Sequence, residues 1–378
     1  MLTNTVNLKL ELLCNGVSFT RDFLEYYQAQ MDHIEKRRAY GTGDSIILSS
    51  SIRTPQEIIL EGQIISAANH NSNSDYRIAL EQETPVLKHG KKTIKITFPR
   101  RPISYGKHLS NGELFEQHIT VYGNSTLGIF SPGHCYYFND GHECKFCSLG
   151  SARDSLSDHK MRIKGSMAGE AIGMAINNES DRYKRVLLNG GTIPNYDKGY
   201  SIHMDLLEQV KNKNLQSRLD YHLISMPPKD FRLFDRFKKI GNNMSMSLEV
   251  FNPRLFSEVC PGKARDYTRE RFLAAFEAAV EVLGRGNVYA GFVAGMEPLE
   301  SIIEGIEYFG DMGVVPAVAV FHPDAGSQYS NRRRPSMDFL KSLGKKMSDI
   351  YRREGFQPLI EGSGRNSLDT EAYLGGFA

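Results

Sequence analysis

A chain of 378 residues, 40% of them hydrophobic, is long enough to bury a substantial apolar core without covalent staples. Its 46 basic and 44 acidic side chains leave a formal charge of +2, a field too weak to point to a nucleic-acid partner or an anionic membrane surface. The expected partner is a small molecule.

The first residues, Met1 to Leu13, lack the basic flank and continuous apolar run of a secretory signal, and no stretch has the length of a membrane span; a cytoplasmic protein is expected. Up to about Gly123 the strand-like pieces Ser45–Ser49, Lys92–Phe98 and Gln117–Tyr122 are separated by Asn-, Ser- and Gly-rich turns, with a helix-like stretch at Phe19–Arg37. Residues 1–123 therefore read as an N-terminal α+β extension that carries no catalytic motif.

After Gly123 short apolar runs alternate with amphipathic segments, as parallel strands and their crossover helices do. The predicted strands are Thr126–Phe130, Arg185–Asn189, Asp220–Ser225, Met244–Val250, Val288–Ala294 and Val315–Phe321. The helices between them are Ser166–Asn177, His203–Lys213, Asp230–Ile240, Arg269–Leu283 and Leu299–Met312. Six βα units in series predict an α/β fold, a partial (β/α)6 TIM-type barrel over residues 124–334, with its site at the C-terminal strand ends. A helix at about Pro335–Arg353 and a Gly-rich tail, which reads either as a cap on the barrel mouth or as a flexible terminus, make up residues 335–378.

Three of the five cysteines, Cys135, Cys144 and Cys147, directly follow the first predicted barrel strand, while Cys14 and Cys260 stand apart. An odd number distributed in this way fits a metal site in a reducing compartment rather than a disulfide framework. Thiolates are soft ligands that suit zinc and iron–sulfur clusters, and three of them hold a cubane while leaving its fourth iron open. His134 or His142 would complete a zinc site instead, although no second Cys-x2-Cys or His pair is present. The cysteines alone leave both readings open.

The segment Cys135–Cys147 resembles the cluster loop of the radical S-adenosylmethionine superfamily. It keeps the family's two-residue second gap and the aromatic residue, Phe146, before the last cysteine, and has eight residues where the usual first gap is three. Gly190-Gly191-Thr192 is similar to the family's Gly-Gly-Glu motif, which receives the methionine ammonium, with Thr192 in place of Glu. By the same resemblance Glu249 would meet the ribose hydroxyls, Arg265 the methionine carboxylate, and Val293, within Gly291–Glu297, the adenine face. His322 and Asp324, in a segment similar to the sixth-strand end of biotin- and lipoyl-synthase-like enzymes, would face the opening; by itself His322 reads as a packed or solvent-facing histidine. Taken singly, Gly190-Gly191 also reads as a turn, Glu249 as a surface residue, Cys260 as packing and Arg332–Arg334 as a solvated loop.

The resemblance implies a 4Fe–4S cluster, S-adenosylmethionine as cosubstrate and a flavodoxin- or ferredoxin-like electron donor. Reductive cleavage to a 5′-deoxyadenosyl radical and hydrogen abstraction from a small-molecule substrate would follow, with no acid–base side chain assigned as catalytic and the fate of the substrate radical open. The alternatives are a zinc-binding, non-radical barrel protein and a catalytically degenerate, cluster-binding sensor.

Overall fold

The computed structural model describes residues 2–29, 54–55, 57–150, 162–193, 195–324, 326–359 and 364–377. The strand expected at Ser45–Ser49 and the second half of the helix expected at Phe19–Arg37 lie outside these residues.

The N-terminal region begins with helix α1 (Leu2–Asn15), the short strand β1 (Ser18–Phe19) and helix α2 (Arg21–Ala29). A hairpin follows, β2 (Glu57–Ile59) with β3 (Ile65–Ala67), and then a meander of β4 (Tyr76–Glu81), β5 (Thr84–His89) and β6 (Lys92–Lys95). Strand β1 pairs parallel with β4, so this sheet has the order β1-β4-β5-β6. Ile78 and Leu87 alternate onto the face that meets Phe23 and Tyr27 of α2, which gives the region an apolar core of its own.

The larger sheet starts with β7 (Thr120–Tyr122), antiparallel to β8 (Thr126–Phe130). From β8 each strand is followed by helix: α3 (Gly165–Asn178), β9 (Arg185–Asn189), α4 (Tyr196–Lys213), β10 (Asp220–Ile224) and α5 (Leu233–Lys238). The chain continues through β11 (Asn243–Glu249), the helices α6 (Pro253–Val259), α7 (Pro261–Asp266) and α8 (Arg269–Leu283), β12 (Val288–Ala294), α9 (Leu299–Met312), β13 (Val315–Val320) and α10 (Met337–Glu354).

Strands β7 to β13 lie in chain order, and β8 to β13 are all parallel. Helical crossovers in one rotational sense curl such a sheet into a barrel. Here β7 and β13 are edges and do not pair, so the barrel is partial. The strands are buried on both faces, as the continuous apolar run of Val288–Ala294 requires.

The helices turn apolar stripes onto this sheet. In α9 the stripe is Ile302, Ile306 and Phe309, and it ends at Gly313, whose φ of 90° closes the helix in the left-handed region. Phe309 meets Phe276 of α8 edge-on at 4.7 Å between ring centroids; burying each such ring contributes roughly 2 kcal/mol. Among the described residues no helix is long and apolar enough to cross a membrane.

Past α10 the chain returns to the barrel. Residues 366–368 run antiparallel along the free edge of β13, through Val320 N–H to the Asn366 carbonyl (2.8 Å) and Leu368 N–H to the Val318 carbonyl (3.0 Å), before helix α11 (Asp369–Tyr373). The described part of the tail is thus seated on the barrel.

Candidate active site

The C-terminal ends of the barrel strands surround a cavity of about 400 Å³. Cys135, Cys144 and Cys147 all line it, together with Phe146, Gly190, Gly191, Thr192, Glu249 and Val293. Residues 158 positions apart in sequence therefore converge because each lies at or just beyond the end of a parallel strand.

The cysteine loop is stitched to the end of β9 by main-chain bonds. Ser131 N–H donates to the Asn189 carbonyl (2.8 Å), Gly191 N–H to Pro132 (2.8 Å) and Tyr136 N–H to Thr192 (2.9 Å). The two glycines permit this approach: a Cβ on Gly190 would lie 2.7 Å from the Pro132 nitrogen, and one on Gly191 2.5 Å from the Cys135 nitrogen. The loop's far end rests on the α6–α7 segment through Lys145 N–H to Val259 (2.9 Å) and Gly262 N–H to His142 (3.0 Å).

Burial pushes the Cys135 and Cys147 thiols up from their ordinary range. Cys144 is drawn down by its hydrogen bond with Cys260, against its burial, and the charge of Lys263 acts in the same direction. The buried Cys260 thus packs directly against one of the three thiols. His134 and His142, which would have completed a zinc site, are absent from the cavity wall; His134 bonds Asn139 Oδ1 (2.8 Å) and His142 the Asp140 carbonyl (2.8 Å).

Glu249 sits at a β-bulge with φ +74°, a strained conformation for a residue with a side chain. Its Oε1 pairs with Lys263 Nζ at 2.7 Å, and Nζ also donates to the Ser247 carbonyl at 2.7 Å. Burial pushes the Lys263 ammonium down, but Glu249, Cys144 and Cys260 outweigh it and hold the group above its usual range. This pair puts one cation and one carboxylate on the wall beside the thiols.

Arg265 is not brought to the cavity. Its guanidinium is 41% exposed and pairs with Asp266 (2.7 Å) and Asp140 (3.0 Å). The reason is helical geometry: two residues along α7 is a rotation of about 200°, so the turn that points Lys263 inward points Arg265 out. Glu297 likewise faces away, its carboxylate receiving Phe251 N–H (2.8 Å), Asn252 N–H (2.9 Å) and Ser301 Oγ (2.6 Å). It fastens the chain after β11.

His322 and Asp324 do line the cavity, 2.9 Å apart, with Ser148 Oγ donating to the other oxygen of Asp324 (2.8 Å). Arg332 and Arg334 are partly buried, and Arg332 donates to the Gly295 carbonyl (3.0 Å), so the basic run is packed on one side.

Sequence reasoning missed Lys263 and His203, which also line the wall, as do Ser367 and Asp369 of the tail whose hydrogen-bonding groups read as a cap on the barrel mouth. His203 lies on the buried stripe Tyr200, His203, Met204, Leu207 of α4, a legible helical spacing. Its Nε2 donates to the Ser131 carbonyl (3.0 Å) and its Nδ1 accepts from Ser225 Oγ (3.1 Å); burial pushes it down to about 4, so it is neutral.

The donor set fits an iron–sulfur cubane: three soft thiols reach one cavity, and no further cysteine is among the described residues on its wall. No family model matches the chain. The bacteriochlorophyllide c C-7(1)-hydroxylase of Chlorobaculum limnaeum is 27% identical over 260 residues, which is 64% of this chain and 64% of that enzyme. The match therefore spans less than two thirds of the relative's length.

Solved structures similar to the chain include the FeFe-hydrogenase maturase HydG of Carboxydothermus hydrogenoformans (19% identity, TM-score 0.47, 63% of this chain and 54% of that one). A radical SAM methyltransferase from Sphaerobacter thermophilus gives 14% identity and a TM-score of 0.44 over 69% and 79% of the two chains. Coproporphyrinogen III oxidase (HemN) of Escherichia coli, a radical SAM enzyme, gives 13% and 0.40 over 62% and 54%. The chain resembles the radical S-adenosylmethionine enzymes. Set beside radical S-adenosylmethionine enzymes, its own pattern differs in the long first cysteine gap and in Thr192, and its inward cation is Lys263.

Proposed function

We propose that the protein is a radical S-adenosylmethionine enzyme in which Cys135, Cys144 and Cys147 hold a 4Fe–4S cluster and the same cavity receives S-adenosylmethionine and a small-molecule substrate. The convergence of these three thiols on one cavity beside the Lys263–Glu249 pair is the observation that carries this reading. When bound, cluster and cosubstrate supply reductive cleavage of a sulfur–carbon bond and, from it, a carbon radical able to abstract hydrogen.

The chain's own residues bind and orient. Lys263 supplies a cation for the methionine carboxylate, Glu249 two acceptor oxygens for the ribose diol, and the Gly190-Gly191-Thr192 turn main-chain acceptors for the ammonium. Val293, on a strand that carries Gly291, offers the adenine a flat apolar wall. Phe130, Phe146, Ile193 and Phe321 keep the space largely apolar, which excludes water from the reacting atoms. A one-electron donor of flavodoxin or ferredoxin type supplies the reductant. The 27% relative is named for a hydroxylation; for this chain we carry over only hydrogen abstraction from a substrate with an apolar body.

Anaerobic purification tests the reading. A brown, iron-containing protein that forms 5′-deoxyadenosine from S-adenosylmethionine with dithionite, and loses this in each of Cys135→Ala, Cys144→Ala and Cys147→Ala, supports it. A colourless protein with stoichiometric zinc sinks it, and a brown protein without 5′-deoxyadenosine points to a cluster-binding sensor.

A further inference from the structure

The barrel's open edge is β13, and a separate strip of chain closes it. Ser367 and Asp369 of this strip line the cavity, and Asp369 Oδ1 accepts Val318 N–H at 2.9 Å. The strip's outer face rests on the N-terminal region: Ala67 N–H donates to the Arg365 carbonyl (3.0 Å), and Arg365 lies 3.7 Å from Glu57.

The deepest contact comes from α1. Lys9 Nζ donates to the Gly364 carbonyl at 2.9 Å and pairs with Glu371 Oε1 at 2.8 Å, and the two side chains are 0% and 1% exposed. An ammonium is buried so completely only where partners replace its water. Both partners here belong to the strip, one at each end of its cavity-lining part. One cation therefore holds the strip at two points.

We infer that Lys9 is a positioning residue of the active site: the N-terminal region seats residues 364–371 against β13 and so presents Ser367 and Asp369 to the substrate. The claim that these two groups meet substrate rests on the function proposed above; the seating by Lys9 does not. Asn366 of the strip also lines the wall, while Val320, Phe321 and Leu359 there are apolar, so the strip fits a hydrogen-bonding substituent on an apolar body. Burial pushes the Asp369 carboxyl up to about 7, against its bond from Val318 N–H, so that near neutral pH it is available both as donor and as acceptor.

The test uses the full chain with its cluster, prepared without oxygen, and reads two quantities: amide hydrogen exchange by mass spectrometry and the rate at which bathophenanthroline disulfonate extracts iron. In Lys9→Met, exchange over residues 364–373 rises roughly tenfold or more while β9 to β12 are unchanged, and iron leaves several-fold faster. Glu371→Gln keeps an acceptor for the ammonium but removes its counter-charge; it shows the same localisation at roughly threefold or more, and decides the matter if Lys9→Met does not fold. Unchanged exchange in the strip overturns the inference, and so does a uniform rise across the barrel, which would make Lys9 a general support of the fold. Loosening of the strip with no change in iron release overturns its role as a cavity wall. A preparation without iron would remove the proposed function, and the exchange data would still decide the seating.

Discussion

The two sides of the cavity are fixed by different means. On the cysteine side the loop after β8 is laid against the end of β9 by main-chain hydrogen bonds, and Gly190 and Gly191 leave no room for any side chain between them. On the tail side a strip from a distant part of the chain pairs with β13 through the main chain of Asn366 and Leu368 and is held besides by buried side chains, Lys9 with Glu371 and Asp369 with the Val318 N–H. Main-chain stitching with glycine spacers gives a rigid seat for the thiols proposed to hold the cluster, a role whose geometry tolerates little error. Side-chain anchoring leaves a wall whose surface is altered by ordinary substitutions, which suits the part of a site that meets a variable substrate.

The sharpest way to break this contrast is Gly191→Ala. The added methyl is driven into the Cys135 main chain, so we expect a loss of about 3 kcal/mol of stability and of most of the bound iron, read by denaturant unfolding and iron analysis. The tail strip should keep its exchange protection. Full iron content in this variant would show that the cysteine side adapts as freely as the tail.

His203 is the exception within the stitched side, a side chain that ties the Ser131 carbonyl to Ser225 just past the end of β10. Its pKa of about 4 lies below the ordinary 6.5, so the unfolded chain takes up a proton that the folded one refuses. The stability it contributes is complete above pH 6.5 and is lost as pH falls towards 4. Between pH 7 and pH 5 the unmodified protein should lose about 2 kcal/mol more than His203→Gln, measured by denaturant unfolding at the two pH values. Parallel pH profiles would exclude a neutral buried histidine here.

Two smaller effects separate the inward from the outward cation. Lys263→Met should weaken S-adenosylmethionine binding about tenfold, as expected for a lost charge-assisted bond. Arg265→Met, whose guanidinium faces Asp140 and Asp266 outside the cavity, should change it by less than about twofold. Anaerobic titration calorimetry checks both, and the reverse ranking would restore Arg265 as the carboxylate ligand.

Much of the barrel was legible because its signals are local. Val288–Ala294, Arg269–Leu283 and Leu299–Met312 were expected with the bounds they have, since continuous apolar runs and 3.6-residue stripes reflect each element's own burial. Helix α1 was not, because Val6, Leu8, Leu10 and Leu12 alternate with polar residues in the two-residue period of a strand. It packs against β3 and α10, and its Lys9, which no pattern marks as buried, reaches the tail. Helix α4 begins at Tyr196, seven residues before the expected start, capped by Asn195, whose side chain accepts from Lys198 N–H. The thiols and the strand-end glycines reach the cavity because sequence order and strand order coincide. Resemblance pointed to Arg265; that Lys263 and not Arg265 lines the cavity depends on the phase of the six-residue helix α7, which the sequence does not reveal.

The Lys9–Glu371 pair joins residues 362 positions apart. A contact that remote has the whole intervening chain to close, so we expect it to form after the local βα units and to open before the barrel strands, an order that pulse-labelled hydrogen exchange checks. On that order the thiols would be in place before the last wall is set, open to the delivery of the proposed cluster, and mild heating should release that wall while the sheet behind it is still intact.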